Sequence, residues 1–340
     1  MQTASSHNLP GAGDQCRPKE PLVRVMELKT WFPVKRGFFS KTKEYVRAVD
    51  GVSLDLYRGE TVGLVGESGC GKTTLGRTLL GLEKFTGGQA YFDRMPLHAI
   101  RPREMRNLRS LMQVIFQDPV SSLNPRMMVM GIVTEGLVQF EKIEGTKKDH
   151  AVRLLNEVGL SQDSLYRFPH EFSGGQRQRI SIARAISLRP EFIICDEAVS
   201  ALDVSIQAQI LNLLMDLQER FHLTYLFISH DLSVVANIAD RIAVMYLGRI
   251  VEAGNTGDII ANPLHPYTRA LISAVPVPGK SRQARIVLKG EIPSASVPPP
   301  GCRFHPRCPE AMAVCREKDP TQVMKDGRLV SCHLYDGERR

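Results

Sequence analysis

The run Gly66-Glu-Ser-Gly-Cys-Gly-Lys72-Thr73 constrains this chain more than any other stretch. It fits G-x-x-x-x-G-K-[ST], a loop whose glycines let successive backbone N–H groups converge on phosphate oxygens. Such a loop must leave a buried strand and open a helix, whose positive end adds to the attraction for anions. The flanks meet that need: TVGLVG (61–66) is an apolar strand candidate, and a helix is expected to begin at Lys72. Alone, the motif announces a nucleoside triphosphate. A rarer motif downstream, Phe172-Ser-Gly-Gly-Gln176, says more about how the nucleotide is used.

Strand candidates at 22–30, 46–58, 112–116, 192–196, 224–229 and 241–247 alternate with helical patterns over about 204–220 and 231–239. Alternation of this kind predicts an α/β fold with a mainly parallel sheet covered on both faces. Between about 120 and 185 the strands stop. Ala151, Leu154, Leu155 and Val158 fall at helical spacing there, which predicts an inserted helical subdomain.

The residues able to do chemistry cluster near strand ends. Lys72 supplies a mobile cation to the β- and γ-phosphates, and the Thr73 hydroxyl is placed to ligate Mg²⁺. Glu67 and Ser68 look like loop fillers whose backbone matters more than their side chains. Asp196 ends the strand FIICD, where a second Mg²⁺ support is usual, and the adjoining Glu197 suits a base that orients water. A solvated strand end is the bland reading of the same pair. His230, after TYLFIS, is as easily structural as catalytic.

Their order resolves these alternatives. The P-loop, Gln117, Phe172–Gln176, Asp196-Glu197, Ala201-Leu-Asp203 and His230 follow one another as in an ABC-type nucleotide-binding subunit, which the chain closely resembles. The resemblance implies an α/β P-loop ATPase domain with a RecA-like core, an antiparallel β subdomain and an inserted helical subdomain. It implies a nucleotide cradle of Gly66, Glu67, Ser68, Gly69, Cys70, Gly71, Lys72, Thr73 and Thr74. Thr73, Gln117 and Asp196 would hold Mg²⁺, and Glu197, Gln117 and His230 would serve hydrolysis. Ser173, Gly174, Gly175 and Gln176 would contact ATP held by an opposite subunit, with Asp203 in the loop crossing that interface. Phe32 is the best match to the aromatic that stacks on adenine, with Trp31 and Tyr45 as competitors. Two departures, Phe172 for leucine and Ala198 for proline, remove no functional group.

FQDPVSSLNPR (116–126), RFPHEFSGGQRQR (167–179), SALDVSIQAQ (200–209), NPLHPYTRALISAVP (262–276) and the cysteine-bearing tail narrow the resemblance to the oligopeptide/dipeptide permease branch of importers. That branch implies two transmembrane permease subunits, an extracytoplasmic peptide-binding protein, a paralogous ATPase as heterodimer partner, and a peripheral place on the cytoplasmic face of the inner membrane. It implies no nucleic acid. Glutathione or nickel chelates are alternative cargoes, and a soluble ATPase of DNA repair or translation is the alternative function. A P-loop kinase leaves Phe172–Gln176 unexplained.

Composition bounds the rest. With 340 residues, 43% hydrophobic and 24% charged, the chain can bury a substantial core. No run approaches the ~18 apolar residues of a membrane span, and the N-terminus lacks the apolar stretch of a secretory signal. Residues 1–20 read as a disordered leader, 21–260 as the ATPase domain and 261–340 as a C-terminal extension. Net charge is +8, and residues 280–340 carry 12 Lys/Arg against 7 Asp/Glu, a solvated basic tail or a membrane- or partner-facing surface. Beyond the proline-rich linker at 276–301, Cys302, Cys308, Cys315 and Cys332 form a cysteine-rich appendage with the spacing C-x5-C-x6-C-x16-C. Four thiolates suit zinc or an iron–sulfur group, and the permease branch implies a [4Fe–4S] cluster. His305 and His333 are bystanders. The appendage is expected to be a separate small fold with little part in hydrolysis.

Overall fold

The computed structural model describes residues 20–34, 44–274 and 286–337. Most of the leader, most of the basic insert VKRGFFSKTKE and the start of the proline-rich linker lie outside these residues. The strands are β1 (Val23–Val34), β2 (Glu44–Leu56), β3 (Thr61–Val65), β4 (Gly87–Phe92), β5 (Met95–Pro96), β6 (Met112–Ile115), β7 (Phe192–Asp196), β8 (Thr224–Ser229), β9 (Arg241–Tyr246), β10 (Arg249–Asn255), β11 (Gln322–Lys325) and β12 (Arg328–Ser331). They make a four-stranded antiparallel sheet, β2-β1-β4-β5, and an eight-stranded sheet, β11-β12-β10-β9-β3-β8-β7-β6.

From β9 to β6 every pairing in the large sheet is parallel. Sequence explains why. β3 and β8 are buried at every residue, as continuous apolar runs must be when both faces of a parallel sheet are covered. Parallel strands also present all their C-terminal ends at one edge, where ligands bind in open α/β sheets. Thr73, His230, Glu197 and Gln117 follow β3, β8, β7 and β6, so four successive neighbours deliver them to one rim.

Between β6 and β7 lie the helices Val129–Gln139, Lys147–Glu157 and Gly174–Ile186, whose apolar faces share a core with Ile193, Tyr225 and Phe227. Phe172 is 3% exposed in that core, and the Arg167 guanidinium lies over its ring at 4.5 Å. The phenyl ring therefore fills its site without disturbing the loop that follows.

The expectation of a separate C-terminal fold is corrected here. β12 pairs antiparallel with β10 through Glu252↔Val330 and Ala253↔Leu329, so the extension continues the ATPase sheet. Phe304, 1% exposed, packs edge-on to Tyr246 and against Tyr267, with ring centroids 5.2 and 5.3 Å away. Complete burial of such a side chain is worth about 1.5–3 kcal/mol. Part of the tail's basic charge lies inside the protein, while Lys289, Arg316 and Lys318 are exposed. Arg303, Arg307 and Arg328 are buried against Asp50, Glu67 and Glu252. The charges of these three are matched inside the protein.

Candidate functional site

The P-loop leaves β3 and enters the helix Lys72–Leu79 through Gly71, whose φ is +108°. A Cβ there would stand 2.0 Å from the Ala48 carbonyl oxygen, so only glycine fits between the loop and β2. Lys72, 4% exposed, folds back onto the loop and donates to the carbonyls of Gly66 (2.7 Å) and Glu67 (3.0 Å). Ser68, Gly69 and Thr73 are exposed and Thr74 half-buried, so the cradle opens to solvent.

Thr73 donates its hydroxyl hydrogen to Asp196 Oδ1 at 2.8 Å. The pair brings a hydroxyl and a carboxylate together, the hard oxygen donors that Mg²⁺ prefers. Burial pushes the Asp196 carboxyl above its usual range. The Thr73 hydrogen bond opposes that shift, and the adjoining Glu197 charge adds to it.

Glu197 receives two neighbours. Gln117 Nε2 donates to Glu197 Oε2 at 2.9 Å, and His230 Nδ1 lies 3.3 Å from Glu197 Oε1. Glu197 itself holds a φ of +50°, an uncommon conformation for a non-glycine residue that aims its carboxylate at the rim. Its N–H donates to the Ile228 carbonyl of β8, which keeps it there. Gln117, Glu197 and His230 are thus brought together as the sequence order predicts. Ala198 is 2% exposed, so proline's absence leaves no gap at the surface.

Ser173 caps the helix Gly174–Ile186 in a reciprocal box: Gln176 N–H donates to Ser173 Oγ (3.4 Å), and Ser173 N–H to Gln176 Oε1 (3.0 Å). A Cβ at Gly175 would meet Ile206 Cγ2 at 2.6 Å, so glycine lets this helix start approach the helix Val204–Phe221 that Asp203 begins. Ser173, Gly174 and Gln176 stay exposed.

Of the three aromatic candidates for adenine, Trp31 donates its indole N–H to Asp50 at 3.1 Å and lies under the Arg47 guanidinium at 5.0 Å. Trp31 and Tyr45 also pair with each other, centroids 6.1 Å apart. Phe32 has no ring partner among the described residues.

Sequence reasoning missed what holds the P-loop from behind. Glu67, taken as filler, accepts two hydrogen bonds from Arg307, at 2.6 Å (Oε2) and 3.0 Å (Oε1). Its N–H donates to the Tyr267 hydroxyl at 2.9 Å. No local pattern links residues this far apart in sequence.

The four C-terminal cysteines are free thiols. Burial pushes Cys308 up to about 11 and Cys332 up to about 12, and the neighbouring cysteines push each further. They are mutual neighbours. Yet among the described residues no group of three or more His, Cys, Asp or Glu side chains is placed to hold a metal ion. The expected zinc or [4Fe–4S] centre therefore gains no support from the geometry. His305 and His333 have other partners, the Cys302 carbonyl (2.9 Å) and Asp336 with the Lys318 carbonyl.

A family profile described as "ABC transporter" matches residues 49–200, and one described as "Oligopeptide/dipeptide transporter, C-terminal region" matches residues 251–315. The chain is 50% identical over 323 residues to the oligopeptide transport ATP-binding protein AppF of Bacillus subtilis, covering 93% of this chain and 98% of that one. It is 47% identical to the dipeptide transport ATP-binding protein DppF of Escherichia coli, over 94% of this chain and 96% of that one. Among solved structures, a dimeric ATP-binding cassette in a post-hydrolysis state with ADP and Pi is similar at 26% identity and a TM-score of 0.60, covering 69% of this chain and 98% of that one. The structure of cbiO1 from Clostridium perfringens, part of the ABC transporter complex cbiONQ, gives 26% identity and a TM-score of 0.61, covering 72% of this chain and 92% of that one. Near-complete coverage at half identity, together with the rim of Thr73, Asp196, Glu197, Gln117 and His230, places the chain among the ATP-binding subunits of the ABC transporter family, in the oligopeptide/dipeptide branch.

Proposed function

We propose that this subunit binds and hydrolyses ATP to drive import of di- or oligopeptides. The observation that carries the hydrolytic half is the grip of Gln117 and His230 on Glu197, which leaves a carboxylate oriented at the rim beside the P-loop. In this reading Glu197 takes a proton from water as it attacks the terminal phosphate, while Gln117 and His230 hold the carboxylate and the water in line. Lys72 leaves its carbonyl partners for phosphate oxygens. Thr73 and Asp196, with Gln117 near, would hold the magnesium ion, which when bound neutralises phosphate charge. Phe32 stacks on adenine, since Trp31 and Tyr45 are engaged with each other. Ser173, Gly174, Gly175 and Gln176 present a helix N-terminus to ATP on an opposite subunit, and Asp203 lies at that interface.

The transport half rests on the relatives' names and the C-terminal profile. No helix among the described residues is long and apolar enough to cross a membrane. The reading therefore supplies two permease subunits, a peptide-binding protein outside the membrane and a paralogous ATPase partner. The subunit would sit on the cytoplasmic face of the inner membrane. The names of the oligopeptide and dipeptide transport relatives favour this reading over a DNA-repair or translation ATPase.

For the four thiols the same reading keeps a [4Fe–4S] group. They are free thiols that form no metal-ready group among the described residues, so this part rests on the branch resemblance alone. One preparation tests both parts. The tagged chain, taken anaerobically from detergent-solubilised membranes of its own cell, brings hydrophobic subunits with it, hydrolyses ATP faster with peptide present, and contains iron with inorganic sulfide. Recovery on nucleic acid without membrane partners overturns the transport reading, and stoichiometric zinc without iron overturns the cluster.

A further inference from the structure

The turn 302–308 is closed by its own backbone hydrogen bonds, His305 N–H to the Cys302 carbonyl and Arg307 N–H to the Phe304 carbonyl, each 3.0 Å. Three of its side chains, Arg303, Phe304 and Arg307, reach into the ATPase. Arg303 pairs with Asp50 and donates to the Leu247 carbonyl at 2.6 Å. Phe304 fills the space between Tyr246 and Tyr267. Arg307 forks onto Glu67 inside the P-loop.

The last contact has two physical consequences. A carboxylate in a phosphate-binding loop repels the triphosphate that must bind there, and a guanidinium 2.6 Å away cancels that charge. The fork also fixes the loop's first arm, which Tyr267 holds by the Glu67 N–H and on whose carbonyls Lys72 rests before it turns to phosphate. Arg307 is 9% exposed, so its charge is matched by Glu67 rather than by water.

We propose that Arg307 is a positioning residue for nucleotide binding, acting through Glu67 to neutralise and brace the P-loop, so that the cysteine-bearing turn is part of the ATP site. The proposal rests on the ATP-site reading above. It is tested on the full chain by MgATP affinity and on the assembled complex by KM and kcat. Arg307→Ala raises Kd and KM about threefold to thirtyfold, the range by which contacts away from a ligand change a coupled affinity, with kcat within about twofold. Arg307→Lys, which keeps the charge and loses the fork, falls between. Adding Glu67→Gln to Arg307→Ala removes the unpaired carboxylate and recovers affinity, a rescue that a purely structural role does not give. A folded Arg307→Ala with wild-type affinity overturns the proposal. So does a double variant as weak as the single one. If Arg307→Ala fails to fold, Arg307→Lys and the double variant decide on the same criteria. Lys72→Ala is the control: if it too binds MgATP normally, the ATP-site reading itself has failed.

Discussion

At the scale of single residues, the clearest division of labour lies between Asp196 and Glu197. Asp196 bonds Thr73, while Glu197, turned by its φ of +50°, bonds Gln117 and faces His230. Backbone strain of this kind costs about 1–3 kcal/mol and persists where the surroundings enforce it. Glu197→Gln keeps the size of the side chain and can still accept from Gln117, but it cannot take a proton from water. The expected outcome is retained MgATP binding with turnover reduced at least ~10²-fold, measured as phosphate release in the assembled complex. Turnover near wild type would remove Glu197 from the role of base. These residues were marked in sequence by apolar strand ends and given roles by the resemblance, while the adjacency of their strands is seen only in the fold. Glu67 was not legible in this way, because its partner Arg307 lies on a turn 240 residues away. Phe32 was the best match from sequence, and the contact of its competitor Trp31 with Asp50 is something only folding brings together.

At the scale of elements, the parallel strands were legible as uninterrupted apolar runs, while the C-terminal hairpin was not. Its signal was present: Asp326-Gly327, with φ of +49° and +73°, joins β11 to β12 as two-residue hairpin turns demand. The cysteines drew the reading toward a metal-held knob instead, and nothing local says that β12 would find β10. What anchors this junction is pH-sensitive. Glu252, fully buried, accepts the N–H groups of Leu264 and His265, both at 2.9 Å, and His265 Nδ1 caps the helix Pro266–Ser273 by accepting from Tyr267 N–H at 3.0 Å. Burial, with the Arg269 charge adding to it, depresses His265 to about 3 from its ordinary 6.5. A depressed pKa means that the unfolded chain binds the proton first. The stability His265 contributes is complete above about pH 6.5 and drains away as pH falls toward 3, about 2 kcal/mol being gone at pH 5. Thermal unfolding between pH 7 and pH 5 should show this fall in the wild type and a flatter profile in His265→Asn, which keeps an acceptor for the cap but does not titrate. Equal slopes would exclude His265 as the source.

At the scale of the whole molecule, one chain exposes two helix starts that the proposed function assigns to phosphate. The P-loop opens at the rim of the sheet, and Ser173 to Gln176 stands exposed at the start of the helix Gly174–Ile186. On the proposed reading the two helix starts complement each other across two subunits, and a solved cassette to which the fold is similar is dimeric. The resemblance implied this arrangement, and the exposure of both loops leaves each open to a partner. Ser173→Arg puts a bulky cation at that exposed start and removes the cap, a loss of about 1 kcal/mol that leaves the helix folded. The variant should bind MgATP in the monomer as the wild type does. In a Glu197→Gln background it should no longer form the ATP-dependent dimer seen by size-exclusion chromatography. Lys72→Ala should show the reverse order of defects, weak binding first and lost dimer as its consequence. If Ser173→Arg abolished ATP binding to the isolated monomer, the two helix starts would serve one nucleotide within one chain, and the trans arrangement would be wrong.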